Sequence, residues 1–282
     1  MNERKRSLLL VHVAIVFLGG TGLFSKLIEL PAIDIIAYRS LLAAICLLII
    51  LTVSKNTIRI DNIKHLGLML IAGLLLGIHW VSFFHSMQIS GIAAGMIALY
   101  TYPVMTVFIE PLFHGKKPQP PDIACGFAVL LGVGLIVPEF SSANDITVGI
   151  LWGVFSALFF SLRNVMQKYY LSSYGGLTSM LYQCFIAGLV SLPFITTTPN
   201  HITPDHWLLL IILATIFTAL PHSLFTSSLR HLKAKSVGLI ASLQPLYGAL
   251  FAFLILQELP TAMTMVGGAI ILGAAIYETY SV

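Results

Sequence analysis

The sequence predicts an all-α integral membrane protein of ten transmembrane helices in two inverted five-helix repeats. Three observations predict it: apolar runs of spanning length along nearly the whole chain, positive charge gathered on alternate connections, and an echo of the first half in the second. Of 282 residues, 57% are hydrophobic and only 9% charged, and the mean hydropathy is +0.94. That composition cannot cover a water-soluble surface, so lipid must be the solvent for most of the chain.

A spanning helix needs roughly 20 apolar residues at about 1.5 Å of rise each. This rule places spans at 8–28, 32–53, 66–87, 90–112, 120–139, 147–168, 174–195, 206–229, 234–256 and 260–280. The fifth is the shortest, and the cluster Pro118, Pro120 and Pro121 marks its start. Little chain remains outside the spans, which leaves no room for a soluble domain. Arg4, Lys5 and Arg6 before the first run resemble the beginning of a secretory signal peptide. The run is long and ends without a small-residue cleavage site, so it reads as a retained first helix.

Thirteen of the fifteen Lys and Arg residues fall on one side of a ten-span layout. They are Arg4, Lys5 and Arg6; Lys55, Arg59 and Lys64; Lys116 and Lys117; Arg163 and Lys168; and Arg230, Lys233 and Lys235. Only Lys26 and Arg39 fall on the other. The positive-inside rule then makes both termini cytoplasmic, with the protein in the inner (cytoplasmic) membrane. The net charge of +4 follows from this topology and gives no reason to expect a nucleic-acid partner. Cys46, Cys125 and Cys184 lie inside spans without paired spacing. They read as small packing residues, and no disulfide or metal site is expected.

The second half repeats the first at an offset of 142: Phe83/Phe225, Ser86/Ser228, Pro103/Pro245, Pro118/Pro260 and Gly126/Gly268, with Phe17/Phe159 and Lys26/Lys168 nearer the start. Around the second span the offset shifts by two, giving Tyr38/Tyr182, Ala43/Ala187 and Leu48/Leu192. The prolines and glycines weigh most, because they constrain backbone geometry. The repeats are residues 1–140 and 141–282, five helices each. Five is odd, so the halves run in opposite directions through the membrane, as Lys26 and Lys168 illustrate. Inverted repeats are a recurring plan of secondary transporters, with a site near the midplane that opens to each side in turn.

The chain resembles the drug/metabolite transporter superfamily, and within it the EamA-type ten-helix transporters. The resemblance rests on Tyr38-Arg39 early in the second span, Pro103 and Pro245, and Gln257-Glu258-Leu259-Pro260 followed by Gly267, Gly268 and Gly273. It covers essentially the whole chain. It implies a secondary transporter, more often an exporter, of a small polar or amphipathic metabolite. One departure is that Lys116 stands where the first repeat would match Glu258, the nearest acid being Glu110.

Candidate cavity residues follow from polar or aromatic groups placed deep in spans. Arg39 is a cation roughly two turns into the second span from the outer side, and it would attract an anion or the carboxylate of a zwitterion. Its alternative is a structural pair with Asp34 or Glu29, or snorkelling to the interface. Tyr38 precedes it, and Gln183 is its counterpart in the second half. His79, Trp80 and Phe83 form an aromatic wall suited to stacking or cation–π contact, echoed by His222 and Phe225. Tyr100 and Tyr102 beside Pro103 correspond to the region of Gln244 and Tyr247 beside Pro245, where a proline can bend a helix and free backbone carbonyls. Packing is the alternative role for each of these groups. Arg163 reads as an orientation charge near the cytoplasmic end. Small residues spaced by four, Gly73/Gly77, Gly91/Gly95 and Gly149/Gly153, read as tight packing within one subunit.

The sequence lacks a phosphate-binding loop, since Gly115-Lys116 has neither the upstream glycine nor the following Ser or Thr. That leaves a proton or solute gradient, with Glu110 and Glu258 as candidate coupling groups, or passive movement. No cofactor is expected. HExxH runs, paired catalytic acids and a nucleophile elbow are missing, and His79 and His85 lie about 240° apart on a helix. An intramembrane enzyme or a channel-like facilitator remains the alternative to alternating access. The expected partners are a small-molecule substrate and membrane lipid, as a monomer or homodimer.

Overall fold

The structure is a computed structural model and describes residues 3–60, 62–114, 120–137, 141, 143–228 and 240–281. Lys116, Lys117, Pro118, Arg230, Lys233, Lys235 and the start of the ninth predicted span lie outside the described residues. No strand occurs among the described residues. The helices are α1 (Glu3–Gly20), α2 (Phe24–Leu27), α3 (Ala32–Val53), α4 (Ile63–Ser90), α5 (Ile92–Leu99), α6 (Tyr102–His114), α7 (Pro120–Ile136), α8 (Asp145–Tyr170), α9 (Gly176–Ser191), α10 (Pro204–Ala214), α11 (Leu220–Ser228), α12 (Gln244–Leu256) and α13 (Ala262–Ser281).

Seven helical stretches among the described residues are long and apolar enough to cross a membrane: Arg6–Leu27, Ala32–Val53, Ile63–Ser90, Ile92–Glu110, Asp145–Tyr170, Gly176–Phe194 and Pro204–Phe225. Three shorter apolar helices, Pro120–Ile136, Gln244–Leu256 and Ala262–Ala274, fall on the fifth, ninth and tenth predicted spans. The helix predicted at 66–87 is longer at both ends. Asn62 caps it by accepting the Lys64 N–H at 2.8 Å, and Gly91, with φ of +89°, ends it in a conformation open essentially to glycine.

The prolines interrupt spans rather than merely bending them. Tyr100 and Thr101 form a turn between α5 and α6, and Pro103 is the second residue of α6. Ser242 and Leu243 form the matching turn, and Pro245 is the second residue of α12. The two turns are 142 residues apart. A proline in the first helical turn loses no intrahelical hydrogen bond, because those N–H groups have no partner there anyway. In the eighth span a π-helical turn, Thr215–Ala219, precedes Pro221 and absorbs the clash its ring makes with the preceding turn.

Helix α4 packs chiefly on α8 and α9, α3 on α9, α7 on α13, and α1 on α11 and α12. Small residues permit the close crossings. A Cβ on Gly77 would come within 3.3 Å of the Ala187 backbone, and one on Gly153 within 2.6 Å of Ala98. These four-residue pairs work inside one chain, as expected for membrane helices packed through small residues. The outer faces are apolar: Ile45, Ile49 and Val53 on α3, Phe127, Leu130 and Leu131 on α7, and Leu254 and Ile255 on α12 are exposed. Asp34, Arg39, His79, Arg163 and Gln183 are buried. Polar inside and apolar outside is the pattern that a lipid solvent demands.

Candidate binding cavity

The breaks in the fourth and ninth spans bring α6 and α12 to a small central cavity of about 50 Å³. Of the residues predicted for the site, Arg39, His79, Trp80, Phe83, Tyr102, His222, Phe225 and Gln244 line it. Arg163, Phe160, Phe84 and Thr21, which are not among the predicted site residues, join them. No carboxylate is among the described lining residues.

Twelve of the lining residues form six pairs, each 142 apart: Leu18/Phe160, Thr21/Arg163, Trp80/His222, Phe83/Phe225, Leu99/Ala241 and Tyr102/Gln244. The cavity is therefore assembled from the same positions of both halves. Chemically the halves differ, with tryptophan opposite histidine and threonine opposite arginine.

Arg39 is only 1% exposed. Its guanidinium lies over Trp80 at 4.2 Å and Phe84 at 4.8 Å, while its Nε and Nη1 have no hydrogen-bond partner among the described residues. The pair expected with Asp34 does not form. Asp34 instead accepts from the Thr196 and Thr197 backbone N–H groups, both at 2.9 Å, and from the Thr196 hydroxyl at 3.0 Å. Arg163 is 6% exposed and belongs to the interior, which corrects its reading as an end-of-helix orientation charge. Its Nε donates to Gln183 Oε1 at 2.7 Å, its Nη1 to Asn164 at 3.0 Å, and its Nη2 meets Met180 Sδ at 3.3 Å. These partners are all neutral.

The histidines belong to the wall. His79 stacks on Phe160 at 4.5 Å and on Phe83 at 5.9 Å, and its Nδ1 is 2.7 Å from Ser156 Oγ. The Ser156 hydroxyl also contacts the His79 carbonyl at 2.8 Å. His222 tilts against Trp80 at 5.6 Å.

Four of the residues predicted for the cavity do not line it. Gln183 holds Arg163 from behind and donates to Gln167 Oε1 at 2.9 Å. The Tyr100 hydroxyl donates to the Ala241 carbonyl, tying one span break to the other. Tyr38 donates to the Thr197 carbonyl at 2.6 Å and packs edge-on against Trp207. Tyr247 packs on the α1 cluster of Val11, Ile15 and Leu18.

Glu110 and Glu258 sit at opposite ends of the stretch Ile92–Glu110. Glu110 accepts from Lys168 Nζ at 2.7 Å and from the Tyr169 hydroxyl. Glu258 accepts from the Ile92 N–H at 2.6 Å. The Glu110 contact belongs with Thr178 to the Thr57 carbonyl at 2.8 Å and His65 with Tyr174 at 2.8 Å. The Glu258 contact belongs with Lys26 to the Gln88 carbonyl at 2.7 Å and with the Asp34–Thr196 bonds. Arg163 was legible as a charge and Phe84 as a neighbour of Trp80 on one face of its helix; the rotation of α8 that brings Arg163 and Phe160 to the cavity was not.

The sequence matches the EamA-like transporter family twice, over residues 5–137 and 147–278. It is 24% identical to an uncharacterized transporter of Bacillus subtilis, YxxF, over 86% of this chain and 79% of that one. It is 23% identical to the pseudopaline exporter of Pseudomonas aeruginosa, over 88% and 86% of the two chains. It is 21% identical to the S-adenosylmethionine uptake transporter of Rickettsia conorii, over 90% and 84%. The fold is shared with a solved crystal structure at a TM-score of 0.64 and 15% identity, covering 96% of this chain and 95% of that one.

Proposed function

The chain belongs to the EamA-like transporter family, an integral membrane transporter and not an enzyme, and from that premise we propose how it works. It crosses the inner membrane ten times as two inverted five-helix repeats, residues 1–140 and 141–282, with both termini in the cytoplasm. It moves a small polar or amphipathic metabolite by alternating access through the central cavity. The observation that carries this reading is the set of six lining pairs at a constant offset. A site built from the same positions of two halves can exchange their conformations, so that each half opens in turn.

Helix contacts support the same plan. The α3–α9 and α7–α13 contacts join counterpart spans, while α4 on α8 mirrors α11 on α1. The closures at Glu110 and Glu258 fall on opposite sides under the charge rule. A cavity of about 50 Å³ holds little more than a water or two, so a metabolite enters only after one closure opens.

Export is the direction we propose, following the resemblance to the pseudopaline exporter; the uptake transporter makes import the alternative. Purified protein reconstituted into liposomes should take up labelled compounds from a panel of amino acids, nucleobases and quaternary amines. Uptake should saturate and accelerate when unlabelled compound is loaded on the far side. Non-saturating flux without such exchange would overturn alternating access in favour of a channel. Efflux from cells overproducing the chain, compared with uptake, decides direction.

A further inference from the structure

Among the described residues both cavity arginines lack an acidic partner, and this narrows the substrate. A buried, uncompensated cation in a membrane protein is costly and marks function unless something neutralises it. Trp80 and Phe84 offset part of that cost for Arg39 by cation–π attraction. They leave Nε and Nη1 without partners, whereas buried polar atoms are nearly always satisfied. Arg163 spends its donors on a glutamine, an asparagine and a thioether, which hold the guanidinium in place without cancelling its charge. The two sit in one cavity with no lining carboxylate. Around them stand flat rings, His79 stacked with Phe83 and Phe160.

We propose that the transported solute carries a carboxylate on a planar, largely apolar frame, with Arg39 and Arg163 binding the carboxylate and the aromatic wall stacking on the frame. The proposal rests on the central cavity being the transport site. Guanidinium suits this role because its planar fork matches a carboxylate and stays charged. A neutral solute would leave both charges uncompensated, and a cationic one would add a third. The contrast between Arg39 and its repeat counterpart Gln183 also gives the solute a preferred orientation, since Gln183 is turned to Arg163.

The test compares benzoate, phthalate, benzamide and benzylamine as probes of the full-length protein in chloride-free nanodiscs, read by thermal stabilisation. Benzoate and phthalate should stabilise it, with apparent affinities at least tenfold above benzamide, and benzylamine should do nothing. Arg39→Gln and Arg163→Gln should each remove that tenfold preference, and Arg39→Lys should restore part of it. Equal stabilisation by benzamide or benzylamine, no stabilisation by either carboxylate, or a carboxylate preference that survives both glutamine variants would overturn the proposal. Chloride producing the same arginine-dependent shift as benzoate would overturn it too, because the aromatic wall would then play no part. If a glutamine variant fails to fold, the comparison of benzoate with benzamide in the unaltered protein still decides. Counterflow of labelled benzoate in liposomes separates the two readings. Arginine-dependent binding without flux would sink the transport site and leave the anion site standing. Flux of another solute without carboxylate binding would do the reverse.

Discussion

The carboxylate of Glu258 caps the helix that begins at Ile92, its Oε1 accepting the Ile92 backbone N–H at 2.6 Å. This ties the loop after α12 to the start of α5, 166 residues earlier. It also gives an acidic group to a helix N-terminus, where exposed N–H groups and the helix dipole favour negative charge. The Gly91 that precedes Ile92 holds a φ of +89° and sits so close that a Cβ there would meet Glu258 Oε1 at 2.6 Å.

Glu258→Ala should therefore lower stability by about 1 kcal/mol. Gly91→Ala should cost about 1–3 kcal/mol from backbone conformation alone. Unfolding in graded detergent and denaturant mixtures checks both. An alanine at 91 that leaves the midpoint unchanged would refute this account of the turn.

Trp80 should matter to both stability and binding. Trp80→Ala removes a buried ring and the platform under Arg39, at a cost of about 3–5 kcal/mol. Trp80→Phe keeps an aromatic face, so it should retain most of the affinity for whichever solute the transport assay identifies. The pair of dissociation constants, measured by stabilisation against ligand concentration, distinguishes a binding surface from mere filling.

Ser156 supports His79 in the cavity wall. Ser156→Ala removes the hydroxyl that meets both the imidazole and the backbone carbonyl of His79. The loss should be about 1–3 kcal/mol, with His79 left under-satisfied in the wall. A half-saturation constant that rises together with the lower unfolding midpoint is the expected signature.

Glu110 should behave differently from the cavity residues. Its partner Lys168 is 54% exposed and Glu110 itself 30%, and ion pairs in such surroundings contribute less than about 1 kcal/mol. Glu110→Gln should leave substrate affinity within about twofold, a difference under about 0.5 kcal/mol. A tenfold loss of affinity would place Glu110 at the binding site after all.

Helix α7 meets α13 at a glycine on each side: a Cβ on Gly132 would come within 2.9 Å of the Gly267 carbonyl, and one on Gly267 within 2.6 Å of the Gly132 carbonyl. Gly132→Leu should separate these helices and destabilise the fold by about 1–3 kcal/mol. Because neither residue lines the cavity, the affinity of folded protein should stay the same. A binding titration on the folded fraction tests that separation of effects.

Membrane embedding was legible in the sequence because apolar length is a local property, and the long helices Ala32–Val53 and Asp145–Tyr170 lie close to the predicted spans. Pro103 and Pro245 were legible as special positions for the same reason, since a proline constrains its own backbone wherever it stands. That they restart helices after a turn, where a bend was expected, depended on what the flanking turns could hydrogen-bond to. The aromatic wall of His79, Trp80 and Phe83 followed from helical spacing, which sets which side chains share a face.

What only the tertiary structure decided is which faces converge. Arg163 looks in sequence like one more cytoplasmic charge, yet α8 packs on α4, α5 and α6 with Arg163 turned inward, where it donates to Gln183 of α9. Gln183, Tyr38 and Tyr100 carry polar groups at plausible depths, but backbone and side-chain partners from distant spans claim them. Asp34 likewise meets Thr196 and Thr197 across 162 residues or more, which leaves Arg39 to the aromatic rings. Composition determines that a helix lies in lipid; the rotation of each helix about its axis is set by neighbours far away in sequence, so only the folded chain brings the two arginines to one cavity.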